Sequence, residues 1–210
     1  MRTQTLGYDR EGLVVLPIFN MNRALIDRYE TVKQAFLQHP NVLKAAASHL
    51  VLGQENSADQ AEMESVKTGK TFKIPLHFIE PDFIDTYGIQ LVSGRVFTLD
   101  QMDRAVILSR KAAQSLGLDD PVGTMVRFRG NTWEVVGMIE DFQNRSFHKP
   151  LGPVVMIPWK NYYRLTLRLG GGPLPETIEF LERPGSSSYP SGLSPISLWT
   201  TASSSNIGGN

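Results

Sequence analysis

Cysteine is absent from the 210 residues. That excludes disulfides, thiolate metal sites and cysteine nucleophiles. An excess of one charge is also absent, since 21 basic residues stand against 21 acidic ones. Such a balance creates no field that would draw in nucleic acid or an anionic membrane surface. No apolar run approaches the roughly 20 residues that a membrane-spanning helix needs. The longest run near the start, residues 13–19, is strand length and is interrupted by Pro17. Residues 1–12 carry Arg2, Asp9, Arg10 and Glu11, so they hold no apolar signal-peptide core. The chain as given therefore reads as soluble, with any export signal or membrane anchor lying upstream of it.

Catalytic signatures are missing too. There is no Gly-x-Ser-x-Gly and no His-Glu-x-x-His. Thr68-Gly69-Lys70-Thr71 resembles the tail of a phosphate-binding loop, but Glu64 stands where that loop needs its first glycine. Residues 71–79 also alternate like a strand, whereas the loop must open a helix. The four histidines, His39, His49, His77 and His148, are scattered along the chain. His148 forms one cluster, with Glu140 and Asp141. One imidazole and two carboxylates in a turn read better as a surface loop than as a metal site. No catalytic, cofactor-binding or metal-binding residue is assigned, no cofactor is expected, and the chain is read as a non-enzyme.

What is present is a hydrophobic fraction of 41%, enough for one large domain or two small ones sharing a core. Residues 13–18 read as a strand. Residues 25–37 read as a helix, with Leu25, Ile26, Tyr29, Val32, Phe36 and Leu37 at helical spacing. Asn22 is its candidate N-cap and Pro40 its stop. Residues 42–50 read as a second strand, and strand, helix and strand together predict a βαβ unit. Residues 53–71 are polar and predict a loop or exposed hairpin. Strands follow at 71–79 and 89–92, separated by one helical turn at 81–88 with Asp82 as candidate N-cap. A buried strand at 105–108 runs into a short helix capped by Ser109 and ended by Gly117. Residues 125–128 and 133–139 flank Arg129-Gly130-Asn131, a hairpin signal. Strands at 153–158 and 163–169 precede a helix opening at 175–181. Gly94 marks a turn after a strand, and Gly137 a close approach or bulge within one. Arg95 and Asp103 are a candidate surface ion pair, worth about 0–1 kcal/mol.

After Arg183 the chain changes character. None of the last 27 residues is charged or a histidine, and nine are serine. Such a segment buries too little apolar surface to offset an ordering entropy of about 1–2 kcal/mol per residue, so 183–210 predicts a disordered Ser-rich tail. It also reads as a frameshift product. With one consistent choice of codons, a single base inserted after Glu182 turns the stretch into KAWKQFLPERPFAYFFMDDSFIEQYRRE. Much of that string depends on codon choice. Trp199 does not, because it has one codon, and its last base followed by any threonine codon spells aspartate.

The ordered segments resemble those of the periplasmic core domain of MacB/FtsX-like ABC transporter permeases. They are Leu6-Gly7-Tyr8-Asp9-Arg10-Glu11-Gly12; Asp82-Phe83-Ile84 through Gly88-Ile89; and Leu91-Val92-Ser93-Gly94-Arg95-Val96-Phe97. Ala105-Val106-Ile107-Leu108-Ser109, Ala112-Ala113, Leu116-Gly117 and Asp120-Pro121-Val122-Gly123 continue the series. Glu134-Val135-Val136-Gly137-Met138-Ile139-Glu140-Asp141-Phe142, Ser146-Phe147-His148 and Pro153 complete it. No one motif is specific; their order and spacing over residues 7–182 are.

The resemblance implies an α+β fold in two parts. One is a porter-like βαβ subdomain from residues 1–50 and 159–182, left incomplete where the tail replaces its second unit. The other is an inserted, mostly β, Sabre-like subdomain at 51–158. It implies an extracytoplasmic, periplasmic domain of an inner-membrane protein that passes ATP-driven motion of transmembrane helices to periplasmic partners or substrates, in efflux or in lipoprotein or peptide export. Its partners would be its own transmembrane helices and a cytoplasmic ATPase, a periplasmic adaptor or lipoprotein, and a second copy in the full-length protein. Nucleic acid is not expected. Loops on rigid scaffolds carry binding, so Asp141, Gln143, Asn144, Arg145 and His148 form the expected partner-contact loop. A small-ligand or lipoprotein-binding domain of an export complex is the alternative, and a hydrolase of unknown type the weakest of the three.

Overall fold

A computed structural model describes residues 7–9, 11–17, 29–52, 60–101, 104–142, 151–159, 162–172, 176–177, 179 and 199–200. Its elements, in chain order, are β1 (Leu13–Pro17), α1 (Tyr29–Leu37), β2 (Val42–Ser48), β3 (Gln60–Ser65), β4 (Thr71–Ile79), α2 (Phe83–Thr86) and β5 (Leu91–Gly94). After a 3-10 turn at Leu99–Gln101 come β6 (Ala105–Ser109), α3 (Arg110–Ser115), β7 (Met125–Phe128), β8 (Asn131–Ile139), β9 (Val155–Pro158), β10 (Arg164–Leu169) and β11 (Trp199–Thr200). Residues 176, 177 and 179 are helical.

The strands fall into an open region and a closed one. The open region has the order β11-β1-β10-β2, with every neighbouring pair antiparallel. β1 and β2 therefore run parallel, as a βαβ unit requires, but β10 lies between them. The predicted unit is thus a split βαβ, because the α1 crossover leaves a gap that a strand from far along the chain fills. β10 and β11 are parallel in the same way, with β1 between them. Taken in chain order these four strands lie 4-1-3-2, the ferredoxin-like arrangement. The sequence predicts no regular structure after residue 182, whereas Trp199 and Thr200 pair with Val15 and Val14.

The closed region occupies the chain between β2 and β10. β4 pairs with β3, β3 with β7, β7 with β8, β8 with β6, β6 with β9, and β9 again with β4. That cycle is a six-stranded barrel, parallel at β6–β8 and at β4–β9. β5 attaches to β8 beyond the stretch that β7 uses. The hairpin between β7 and β8 has a two-residue loop rather than the expected three, with Arg129 at φ 50° and Gly130 at φ 80°. Two consecutive positive φ angles match the right-handed twist of the flanking strands, so Asn131 is drawn into the ladder opposite Phe128. β3 appears where a polar loop or hairpin is expected. Gln60, Glu62 and Glu64 point outward and hide an inward row of Ala61, Met63 and Ser65.

Strand alternation sorts the barrel side chains into two cores. Val106 and Leu108 of β6, Val155 and Ile157 of β9, and Ile74 and Leu76 of β4 fill the interior together with Ala112, Ala113 and Leu116 from α3 and beyond it. Ala105, Ile107, Val154 and Met156 point the other way, into a second cluster that also contains Leu13 of β1 and Ala46 of β2. This explains why β6 and β9 are unbroken apolar runs: both of their faces are buried. The far face of the open sheet carries Val14, Leu16, Ala45, Ala47, Leu165 and Leu167, which pack on Val32 and Phe36 of α1. The open sheet is sandwiched between α1 and the barrel.

Candidate functional site at the junction of sheet and barrel

The junction is built from short elements that a sequence reading treats as connections. α2 is a single turn, and its Phe83 and Ile84 are buried among Ala46, Ile79, Ile107 and Val136. The ring of Phe83 stacks on Tyr87 at 4.3 Å, and Tyr8 meets Tyr87 edge-on at 5.9 Å. The Tyr87 hydroxyl pairs with Thr166 Oγ1 of β10 at 3.0 Å, and full burial drives its pKa well above the usual phenol value. A neutral, hydrogen-bonded tyrosine thus bridges the barrel side to the open sheet.

Polar groups reinforce the joint on the α1 side. Lys33 lies inside the apolar stripe of α1 and is 3% exposed. Its ammonium donates to Glu80 Oε1 and, at 2.6 Å, to Asp82 Oδ2. The second Glu80 oxygen accepts from the Ala47 amide of β2 at 2.7 Å. One buried carboxylate thus ties α1, β2 and the end of β4. Burial alone would lower the Lys33 pKa, but hydrogen bonds to Asp82 and Glu80 and their charges outweigh it and raise it. Burial pushes Glu80 upward, opposed by Lys33 and the Ala47 amide. We assign the ion pair as formed at neutral pH, because the ammonium is held by two carboxylates. Tyr29 and Tyr162 meet edge-on at 5.3 Å beside this pair, and burial with the Glu80 charge keeps both phenols protonated. Asp82 occupies the predicted N-cap position of α2 but makes no side-chain cap bond. Its carboxylate goes to Lys33, a stronger, charge-assisted partner than a backbone amide.

Arg168 of β10 makes the third tie. Its Nε donates to the Thr86 carbonyl at 2.7 Å, and its two terminal nitrogens reach Asp9 Oδ2, Asp9 O and Glu11 O at 2.7–2.9 Å. The residues just before β1 are thereby fastened to β10 and α2 together. The Asp9 amide adds a bond to the Tyr87 carbonyl at 3.0 Å.

The expected partner-contact loop is placed only at its base. Asp141 Oδ1 accepts from the Lys111 amide at 2.9 Å, in the first turn of α3. Lys111 Nζ donates to the Leu151 carbonyl at 2.7 Å. Glu140 takes two bonds from Arg110, which holds its carboxyl below the usual range and raises the guanidinium in return. Asp141 is thus tied to the first turn of α3. Gln143, Asn144, Arg145 and His148 lie outside the described residues, as do Asn22 and Asp103. Arg95 bonds Gln101 Oε1 at 2.7 Å. Thr68 to Thr71 turn from β3 into β4, with Gly69 at φ 69°, and no helix follows. Among the described residues, no group of three or more His, Asp or Glu side chains is arranged to hold a metal ion. Nor does any described helix have the length and apolarity to cross a membrane.

Lys33, Glu80 and Arg168 escape motif reasoning because their partners lie far away in the sequence. The signal was present for Lys33. It falls four residues after Tyr29 and three before Phe36, on the apolar stripe, and a lysine there must find a buried partner.

A split βαβ sheet carrying a barrel between its second and third strands defines a mixed α+β class. The model for the MacB-like periplasmic core domain matches residues 10–183, and the chain belongs to that family. Among solved structures, the periplasmic region of MacB from Actinobacillus actinomycetemcomitans aligns with a TM-score of 0.56 at 15% identity, covering 84% of this chain and 85% of that one. A domain of a putative permease from Porphyromonas gingivalis gives 0.54 at 17%, with 82% of each chain covered. The extracellular domain of the noncanonic ABC-type transporter YknZ from Gram-positive bacteria gives 0.53 at 17%, covering 80% and 89%. At these identities the likeness is one of fold. No curated protein matches in sequence.

Proposed function

We propose that this chain is the extracytoplasmic lever of an ABC transporter permease. It receives ATP-driven motion from transmembrane helices and passes it to a periplasmic partner or substrate. In this reading residues 1–50 and 159–182 form the porter-like half next to the membrane, and 51–158 the Sabre-like half that meets the partner. The observation that carries it is the joint. One continuous apolar cluster, the Lys33–Glu80 pair and the Arg168 fork fix the barrel to the open sheet. A close-packed joint with few voids transmits displacement instead of absorbing it. Permease and transporter domains share the fold. The joint weighs against a small ligand held between the halves, because Phe83, Tyr87 and Ile107 occupy that space.

This chain has no cysteine of its own, so labels within it can be placed one by one. Spin labels at Gln34→Cys on α1 and Lys67→Cys on the β3–β4 turn, both exposed, report the internal length of the lever in the full-length transporter. That distance should stay constant between ATP-bound and nucleotide-free states, while the distance from either label to the membrane-embedded part changes. An internal distance that shifts with nucleotide overturns the reading.

A further inference from the structure

Among the described residues, one strand pairing joins the barrel to the open sheet, Ser48 with Ile79. A second connection runs along the chain just ahead of β1. Gly7 lies against the chain that leaves β8. Its φ is 72°, and a Cβ there would lie 2.7 Å from the Phe142 Cα and closer still to the Asp141 carbonyl oxygen. No side chain fits at such a distance, so backbone meets backbone because residue 7 is glycine. Tyr8 meets Phe142 edge-on at 6.5 Å and Tyr87 at 5.9 Å. The Asp9 amide donates to the Tyr87 carbonyl, and the Asp9 carbonyl and carboxylate both accept from Arg168 of β10.

The two ends of this short run grip different bodies. Asp141 and Phe142 come shortly after β8, which pairs with β5, β6 and β7. Asp141 is itself bonded to the Lys111 amide of α3, and Phe142 is buried in the junction cluster. At the other end the Arg168 fork also takes the Glu11 carbonyl, and the chain enters β1, which pairs with β10 over five residues. A load on residues 7–9 therefore has two exits. It reaches the barrel at Phe142 and the sheet at Arg168, and neither route passes through Lys33 or Glu80.

We propose that residues 7–9 are a strap that sets the angle between the barrel and the open sheet. While the strap is seated, Gly7 and Tyr8 hold the end of β8 at a fixed distance from β10. When it lifts, the joint alone holds the two bodies, and they rock within the play of its side chains. Each keeps its own hydrogen bonding, because the barrel is closed and the sheet is backed by α1. The use of the strap in transport, as the element through which a pull on the chain ahead of β1 reaches the barrel, rests on the lever reading.

The test compares two glycines of similar backbone and different surroundings. Gly123 has φ 81°, and a Cβ there would meet nothing within 4 Å. Gly123→Ala therefore carries the left-handed strain without the collision. In the full chain labelled at Gln34→Cys and Lys67→Cys, Gly7→Ala should broaden the distance distribution. It should also speed hydrogen exchange of the Lys111 amide at least about fivefold, while Val106 to Leu108 stay protected. Gly123→Ala should leave the distance and the Lys111 amide unchanged. Tyr8→Ala, which removes the ring and leaves the backbone free, should act like Gly7→Ala to a smaller degree, and it supplies the readout if Gly7→Ala does not fold. Unchanged distances and exchange in the strap variants overturn the proposal, as does a broadening that Gly123→Ala matches. Equal acceleration at Val106 to Leu108 also overturns it, since residues 7–9 would then belong to the barrel's own fold. The experiment needs no transporter, so a lever that bends with nucleotide and a strap that fails are separate results.

Discussion

The barrel and the open sheet are made of similar strands but solve the edge problem differently. In the barrel the pairings close on themselves, so the cycle leaves no terminal strand. Among the described residues of the open sheet, β2 pairs with the barrel through Ser48–Ile79 alone, and the outer edge of β1 is covered over two residues. Closure pairs every barrel strand on both sides, over an interior that is filled with its own side chains. The open sheet relies on what lies against its faces: α1 on one side and the junction cluster on the other. A fold with one self-sufficient region and one dependent region should fail first at the dependent one. Its weak points are then the joint residues rather than the strands.

The sharpest way to test that comparison is to displace β5, which attaches to the barrel only through β8 among the described pairings. Gly94 has φ 75°, and a Cβ there would lie 2.3 Å from the Val136 carbonyl oxygen and 2.9 Å from the Gly137 Cα. Gly94 and Gly137 are cross-strand partners, so β5 reaches β8 only because both lack side chains. Gly94→Val should cost about 3–5 kcal/mol, combining left-handed backbone strain with overpacking. Urea unfolding should show it as a lower midpoint. A loss under 1 kcal/mol would mean β5 is dispensable to the barrel.

Next in size is Lys33→Met, which leaves Glu80 buried without its cation. Breaking a buried pair costs about 3–5 kcal/mol; with Asp82 partly in water here the loss should fall near the lower figure. For a chain of this length that is a drop of roughly 6–12 °C in Tm. The pH dependence gives the sign. Removing Lys33 raises the folded-state pKa of Glu80 further above its unfolded value. Such a group contributes stability below the unfolded pKa and loses it as pH rises through the folded one. The defect of the variant should therefore shrink as pH is lowered toward about 4. Adding Glu80→Gln should recover part of the loss at neutral pH. A defect that is flat with pH would place the cost in packing instead.

Where the sequence carried the fold, it did so through alternation and breakers. The runs 71–79, 105–108 and 125–128 emerged as strands, and Ser109 caps α3 through the Ala112 amide as its spacing predicts. Partnership was not legible. Nothing local says that β10 inserts between β1 and β2, or that β9 returns to β4 to close a barrel, because register between strands as far apart as Leu76 and Val155 is set by matching faces and leaves no local mark. The joint was the least legible part. Asp82 looks like a cap from its neighbours, and only the three-dimensional approach of Lys33 reassigns it. Of the expected partner-contact residues only Asp141 lies among the described ones, where it accepts from the Lys111 amide.

The smallest effect expected is beside Asp141, and it tests whether the barrel's rim matters to its stability at all. Arg110 depresses the Glu140 pKa through hydrogen bonding and charge, and both side chains are well exposed. A depressed carboxylate contributes stability above its unfolded pKa and loses it as pH falls through the folded value. Arg110→Met should therefore lower Tm slightly near pH 7, and the two proteins should converge as pH falls through the depressed Glu140 pKa. Exposed pairs are screened by solvent and salt, so the difference should also fade at high ionic strength. A gap that persists in acid or in high salt would show that Arg110 acts through its stem packed on the rim. The Arg110–Glu140 tie would then be held by contact and no longer by charge.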